Sequence, residues 1–344
     1  MEDIRVIVWG LGAMGGGMAK LITEKKGIRL VGAIDKNIEL EGKDIGEVLN
    51  LDENIGVLVS CDPEKVIRET DADIVLLATN SFIKNVFPQI KLIVEKGMDC
   101  VTIAEEMANP YRADKDLAKQ INDLAVLNNA TVLGTGVNPG FVLDTLIITL
   151  TASCRRVDKI KAARINDLSP FGKTVMETQG VGTTIEEFKK GVLDGTIVGH
   201  IGFRESIYMI ADAIGIEIDE VVETREPIIS NTYRETNCVK VEPGMVAGCK
   251  HIGYGMKGKE VIITLEHPQQ IRPELEDIKT GDYIWIEGDP NLNLCIKPET
   301  PGGIGTIAMA VNMIPLCLNA KPGIVTMKDL PIPRASMGNM KEMI

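Results

Sequence analysis

The stretch that most limits the possible folds is Arg5-Val6-Ile7-Val8-Trp9-Gly10-Leu11-Gly12-Ala13-Met14-Gly15. An apolar run of strand length enters glycines spaced G-x-G-x-x-G, and helix formers continue from Met18 to Lys25. The pattern predicts a strand, a tight turn and a helix. Gly10 supplies the positive φ of the turn, Gly12 lets the backbone approach a pyrophosphate, and Gly15 lets the helix lie close to the strand. The helix then directs unpaired N–H groups and the positive end of its dipole at phosphates. A second strand over 30–34 ends in Asp35 about twenty residues on, where the acid that holds a ribose belongs. Gly10, Leu11, Gly12, Ala13, Met14, Gly15 and Asp35 are therefore the expected dinucleotide contacts. A carboxylate that accepts from the ribose 2′-OH repels a 2′-phosphate, which favours NAD. Lys36 reads equally as an offset to that repulsion or as an exposed loop lysine, so NADP stays open.

Further strands are expected at 57–60, 73–78, 100–104 and 130–134, with helices at 63–70, 85–95 and 113–128 between them. This alternation predicts an α/β fold, a doubly wound parallel Rossmann sheet with helices on both faces. Ligands of such a sheet lie beyond the carboxyl ends of its strands. The tips there are the glycine loop, Thr79-Asn80-Ser81 and Glu105-Glu106. After the Gly/Pro-rich crossover 134–141 the pattern changes. Strands at 161–166, 221–224, 239–241, 260–265 and 283–287 follow one another with few helices between them, which predicts a second α+β domain with a mixed or largely antiparallel sheet. A helix capped by Thr183 or Thr184 and another over 203–213 belong to it. The tail reads as a glycine turn at Gly302, Gly303 and Gly305, an apolar helix over 306–318 and an extended Pro-rich end. The expected domains are 1–140 for the dinucleotide, 141–300 for substrate and dimerisation, and 301–344 packing back on the first, with the substrate pocket between cofactor and roof.

A net charge of −12 over 344 residues, with no concentrated basic face, argues against a nucleic-acid partner. No apolar run reaches membrane-spanning length, and Glu2, Asp3 and Arg5 stand where a secretory signal carries its apolar core. A cytoplasmic chain is expected. Seven cysteines without a C-x-x-C pair read as reduced thiols. His200, His251 and His267 are too scattered for a zinc signature, and no metal is expected.

The nicotinamide performs hydride transfer, so the chain must hold the donor carbon against it and manage one proton. Glu105 is the candidate for that proton, because partial burial at a strand tip raises a carboxyl toward the working pH. Neighbours on an extended chain point oppositely, so at most one of Glu105 and Glu106 faces a pocket. Arg164 and Asn166 share a strand face by period two. Arg164 there either grips a substrate carboxylate in two-pronged fashion or forms an ordinary ion pair. His267, before Pro268, and His200, after Gly199, are substrate-binding candidates, as is Asn138 in the crossover. His251 is read as lying in a glycine-rich loop and is set aside. No G-x-S-x-G nucleophile setting occurs.

Together, the opening glycine motif, Thr102-Ile103-Ala104-Glu105-Glu106, Gly136-Val137-Asn138-Pro139-Gly140-Phe141 and Asn319-Ala320-Lys321-Pro322-Gly323-Ile324-Val325-Thr326 resemble the 2,4-diaminopentanoate dehydrogenase family, native amine dehydrogenases related to dihydrodipicolinate reductase. The resemblance runs over essentially the whole chain. It implies oxidative deamination of 2,4-diaminopentanoate to 2-amino-4-oxopentanoate and ammonia with reduction of NAD or NADP, in anaerobic ornithine breakdown. It implies Glu105 as acid/base and Arg164, Asn166 and His267, with His200 and Asn138 nearby, as substrate-binding residues. The paired-histidine and lysine motif of dihydrodipicolinate reductase itself is absent. Two other classes remain as alternatives: a dehydrogenase of the homoserine type acting on a hydroxyl, and a dinucleotide-sensing protein without turnover. The exposed edges expected of the second sheet favour a homodimer.

Overall fold

The computed structural model describes residues 2–344. The chain divides into two compact units, one built from the segment up to Phe141 together with Pro301–Ile344, the other from Val142–Thr300.

The first unit holds β1 (Ile4–Trp9), β2 (Ile28–Ile34), β3 (Val59–Ser60), β4 (Ile74–Leu77), β5 (Asp99–Thr102) and β6 (Thr131–Gly134). A seventh strand comes from the tail, Gly323–Val325, and pairs with β6. The order is tail strand, β6, β5, β4, β1, β2, β3, and every pairing is parallel. Covering on both faces explains the continuous apolar runs: all four residues of β4 are buried. The helix Ile83–Glu95 buries Ile83, Val86, Ile90, Ile93 and Val94, a stripe at helical spacing. It stops before Gly97, whose φ of +77° no side-chain-bearing residue adopts readily.

Two expectations need correction here. The chain beyond β5 does not stay extended, because Glu105–Ala108 is a 3-10 turn that buries Met107 and Ala108. The helix expected over 113–128 runs over Lys115–Leu127 and is preceded by a short helix, Pro110–Ala113; between them the Asp114 carboxylate caps the longer one by accepting from the Asp116 and Leu117 N–H groups. The tail glycines are no turn. They open the helix Gly302–Asn312, which packs against the helix Ala13–Thr23: a Cβ at Gly17 would collide with Ile307, and one at Gly303 would meet Met14 at 3.3 Å.

The second unit holds β7 (Arg156–Asp167), β8 (Glu220–Ile229), the short ribbon strands β9 (Arg234–Glu235) and β10 (Lys240–Val241), then β11 (Val246–Lys257), β12 (Glu260–Gln270), β13 (Gly281–Asp289) and β14 (Leu292–Ile296). Its six-stranded sheet runs β14, β13, β7, β12, β11, β8 and is mixed: β12 and β7 are parallel, the other neighbours antiparallel. Thr184 caps the helix Ile185–Leu193 through a reciprocal capping box with Glu187. The long strand β11 replaces the expected glycine-rich loop. Its Gly253 and Gly255 lie under the helix Phe203–Ile214, and Cβ atoms there would press on Phe203 and Ile207. The glycines serve close packing of helix on sheet rather than a turn.

Candidate active site

In the first unit, three loops leave the carboxyl ends of the adjacent strands β1, β4 and β5. The glycine loop follows β1, and β1 is the strand from which the order departs in both directions, the point where α/β sheets open a ligand crevice. Gly10 has φ +95°. Cβ atoms at Gly10 and Gly15 would run into main-chain oxygens, whereas one at Gly12 meets nothing within 4 Å. The first two are thus required by the fold itself, and the space beside Gly12 suits a pyrophosphate. Gly12 is also the N-cap of the helix Ala13–Thr23 and offers no side chain to its N–H groups, which leaves them for an anion. The Asp35 carboxylate accepts from Leu11 N at 2.6 Å and from Asn37 N at 2.8 Å. It ties the end of β2 to the glycine loop. Residues of this loop, with Asp35, fit a nicotinamide dinucleotide.

After β4, Thr79 donates its hydroxyl to Gln89 at 2.6 Å, and Asn80 organises the turn by accepting from Phe82 N and from Asn85 Nδ2. After β5 the two glutamates differ in their surroundings. Glu106 accepts from Ile83 N at 2.8 Å at the start of the helix Ile83–Glu95, a favourable place for a carboxylate. Glu105 is half-buried. Burial raises its carboxyl above the ordinary range; a hydrogen bond from Ser81 opposes this and the charge of Glu106 adds to it. Asn138 lies in the crossover that follows β6, joined to Pro139 by a cis peptide, and the neighbouring Val137 N donates to Thr306 at 3.3 Å.

In the second unit, a polar row crosses the sheet. Arg225 of β8 stands opposite His251 of β11, His251 opposite His267 of β12, and Arg164 of β7 opposite Asp282 of β13. The β12–β7 register places His267 level with Arg164. Opposed residues in paired strands point to one face, so the row is continuous. The Arg164 guanidinium is 3% exposed and its partner Asp282 1%, with Nη1 donating to Oδ1 at 2.8 Å. Arg164 Nη2 also donates to Thr300 O, and Asp282 accepts from Thr300 N at 2.8 Å. Burial pulls the Arg164 guanidinium below its ordinary value, and Asp282 and Glu299 oppose that.

The His267 ring is buried, and neither of its nitrogens has a hydrogen-bond partner among the described residues. The same holds for the oxygens Asn166 Oδ1 and Gln179 Oε1. Buried polar atoms are nearly always paired, so this group of donors and acceptors suits a polar ligand. The His200 ring meets His267 edge-on with centroids 4.9 Å apart. Burial, with His251 and Arg164 nearby, pushes the His200 imidazole down to about 3, and burial drives His267 well below its ordinary value. Both are neutral near pH 7. The sheet therefore brings Arg164, His200 and His267 together, with Asn166 next on the same face of β7. Glu105 and the residues expected to hold the dinucleotide belong to the other unit.

His251, Asp282, Gln179, Glu223 and Arg225 escaped sequence reasoning. The period-two series Cys249, His251, Gly253, Gly255 was the available signal, hidden by its glycines.

Residues 141–344 match the family described as the 2,4-diaminopentanoate dehydrogenase C-terminal domain, and residues 4–103 match the N-terminus of dihydrodipicolinate reductase. A 2,4-diaminopentanoate dehydrogenase from Acetoanaerobium sticklandii is 47% identical over the whole of this chain and 98% of its own length. An amine dehydrogenase from Streptomyces virginiae is 24% identical over 98% of both chains. Among solved structures, an amine dehydrogenase from Mycobacterium smegmatis superposes with a TM-score of 0.87 at 28% identity, covering 98% of each chain.

Proposed function

The chain belongs to the 2,4-diaminopentanoate dehydrogenase family, and from that premise we propose that it oxidises the 4-amino carbon of 2,4-diaminopentanoate to give 2-amino-4-oxopentanoate and ammonia, reversibly. The observation that carries this reading is the half-buried Glu105 at the end of β5, its carboxyl raised by burial while its neighbour Glu106 is engaged at a helix start.

Glu105 as carboxylate takes a proton from the substrate ammonium, because only the neutral amine has the lone pair that assists hydride departure from its carbon. The bound nicotinamide supplies the acceptor for that hydride. Glu105 then releases that proton to solvent and, as carboxylate again, deprotonates a water that attacks the iminium to give a carbinolamine; it returns this proton to the nitrogen and takes one from the new hydroxyl as ammonia leaves and the ketone forms. A carboxyl raised by burial holds a proton more readily than an exposed one, which favours its taking the proton from the ammonium. Arg164, His200, His267, Asn166 and Asn138 hold the amino-acid end of the substrate. Two neutral imidazoles beside a guanidinium provide donors for a carboxylate without adding charge.

Gly10, Leu11, Gly12, Ala13, Met14, Gly15, Asp35, Thr79, Asn80 and Ser81 hold the dinucleotide, and Asp35 makes NAD the preferred one. We read the enzyme as a cytoplasmic homodimer in ornithine degradation. Seven free cysteines suit a reducing compartment. The test is to incubate the protein with NAD or NADP and a panel of diamino acids, simple amines and hydroxy acids, and to follow reduced nicotinamide. Oxidation of the diamino acid, and ketone reduction only when ammonia is supplied, is the expected result. Ammonia-independent reduction, or turnover confined to hydroxy acids, would overturn the reading.

A further inference from the structure

The backbone before the helix Phe203–Ile214 is held at three successive residues by side chains from elsewhere in the second unit. Arg225 Nε donates to Val198 O at 2.7 Å, Gln179 Nε2 to Gly199 O at 2.8 Å, and His200 N to His251 Nδ1 at 2.9 Å. Gly199 has φ +66°, and a Cβ there would stand 2.9 Å from His251 Nδ1, so the imidazole lies directly against the loop. An imidazole that accepts at Nδ1 while neutral carries its proton on Nε2. That nitrogen lies 3.1 Å from Glu223 Oε2, which also accepts from Arg225 Nη2 at 2.8 Å. Both nitrogens of the fully buried His251 are thus used inside the protein, whereas those of its cross-strand neighbour His267 are not. The His200 ring leaves this clamped loop to meet His267 and Phe203, with centroids at 4.9 and 5.0 Å.

We propose that Arg225, Glu223 and His251 form a positioning relay: Arg225 orients Glu223, Glu223 fixes the Nε2–H form of His251, and His251 sets the His200 main chain, and so its imidazole, for the substrate. None of the three touches substrate. The proposal rests on the reading of His200 as a substrate-binding residue, and its test separates the two.

His251→Leu removes the acceptor for His200 N–H, and His251→Asn restores one, because its Oδ1 occupies much the same place as Nδ1. Loss of a buried hydrogen bond predicts a KM for the diamino acid raised about tenfold or more in His251→Leu, with kcat within about threefold and KM for NAD within about twofold of the parent. His251→Asn should return KM to within about threefold of the parent. An unchanged KM in His251→Leu, equal failure of both variants, or a parallel rise in KM for NAD would overturn the relay. A second measurement needs no substrate. Nitrogen-15 spectra of the histidine-labelled full chain, assigned by the signal lost in His251→Asn, should show the His251 proton on Nε2 from pH 6 to 8, and Glu223→Gln should move that signal most. A proton on Nδ1 overturns the relay whatever the substrate. The expected tautomer in a protein that oxidises no diamino acid would instead overturn the functional reading and leave the relay standing.

Discussion

The buried pair Arg164–Asp282 allows stability and substrate binding to be separated. Both side chains are almost fully enclosed and meet at 2.8 Å, so Asp282→Asn leaves a guanidinium without its counter-charge. Removing one partner of a buried pair costs ~3–5 kcal/mol. Arg164 keeps Thr300 O and gains an amide oxygen in place of a carboxylate, which puts the expected cost near the lower end, ~3 kcal/mol. With a urea slope of ~1–3 kcal/mol per molar, the midpoint should fall by ~1–3 M. The assay is the fluorescence of Trp285, on the same strand as Asp282, in a Trp9→Phe background that silences the other unit. The double variant Arg164→Met/Asp282→Leu should recover most of the lost stability, because a buried pair replaced by apolar groups of similar volume is often neutral. It should still show a KM for the diamino acid raised about tenfold or more, through loss of the carboxylate grip. A midpoint for Asp282→Asn within ~0.3 M of the parent would refute the reasoning, as would a double variant with normal KM.

Three further outcomes follow from individual contacts. Gly12→Ala should fold as the parent does, since its Cβ meets nothing within 4 Å, yet bind NAD about tenfold or more weakly; unchanged NAD affinity by fluorescence titration would contradict the pyrophosphate position. Glu106→Gln retains an acceptor for Ile83 N, so it should lose only ~0.3–1 kcal/mol of stability and keep turnover within about threefold; a collapse of turnover would exchange the roles of the two glutamates. Asp99 is raised by burial from 3.8 to about 6, with Thr131 N–H opposing. For an acid raised in the folded state, stability is full below the ordinary carboxylate range and falls as pH rises through about 6. Asp99→Asn should therefore gain on the parent between those limits and hold a lead of ~1–2 kcal/mol above them, after allowance for partial exposure; a lead that does not grow with pH in denaturant melts would contradict the shift.

The first unit was legible because its strands are covered on both faces. β4 reads as an unbroken apolar run and β1 as one from Val6 to Trp9, and short loops between the strands leave little freedom in topology. The three-residue tail strand Gly323–Val325 has too few residues for periodicity to register, and only its pairing with β6 defines it. Glycine misled the reading in both units for one reason. At Gly303, Gly253 and Gly255 the residue serves the approach of a helix to its neighbour, a tertiary requirement that local sequence does not distinguish from a turn. Treating β11 as a loop removed His251 from consideration, and with it the cross-sheet row that explains why Arg164 and His267 lie level. The identity of the two glutamates was likewise beyond the sequence, because the 3-10 turn at Glu105–Ala108 breaks the alternation on which an extended chain relies.

Glu105 carries the central claim, and Glu105→Gln tests it most directly. The substitution keeps size and hydrogen bonding and removes the ability to take a proton. With parent-like NAD affinity, deamination of the diamino acid and amination of the ketone should both fall by ~10²–10⁴ in kcat. Turnover within about threefold of the parent in either direction would contradict the account.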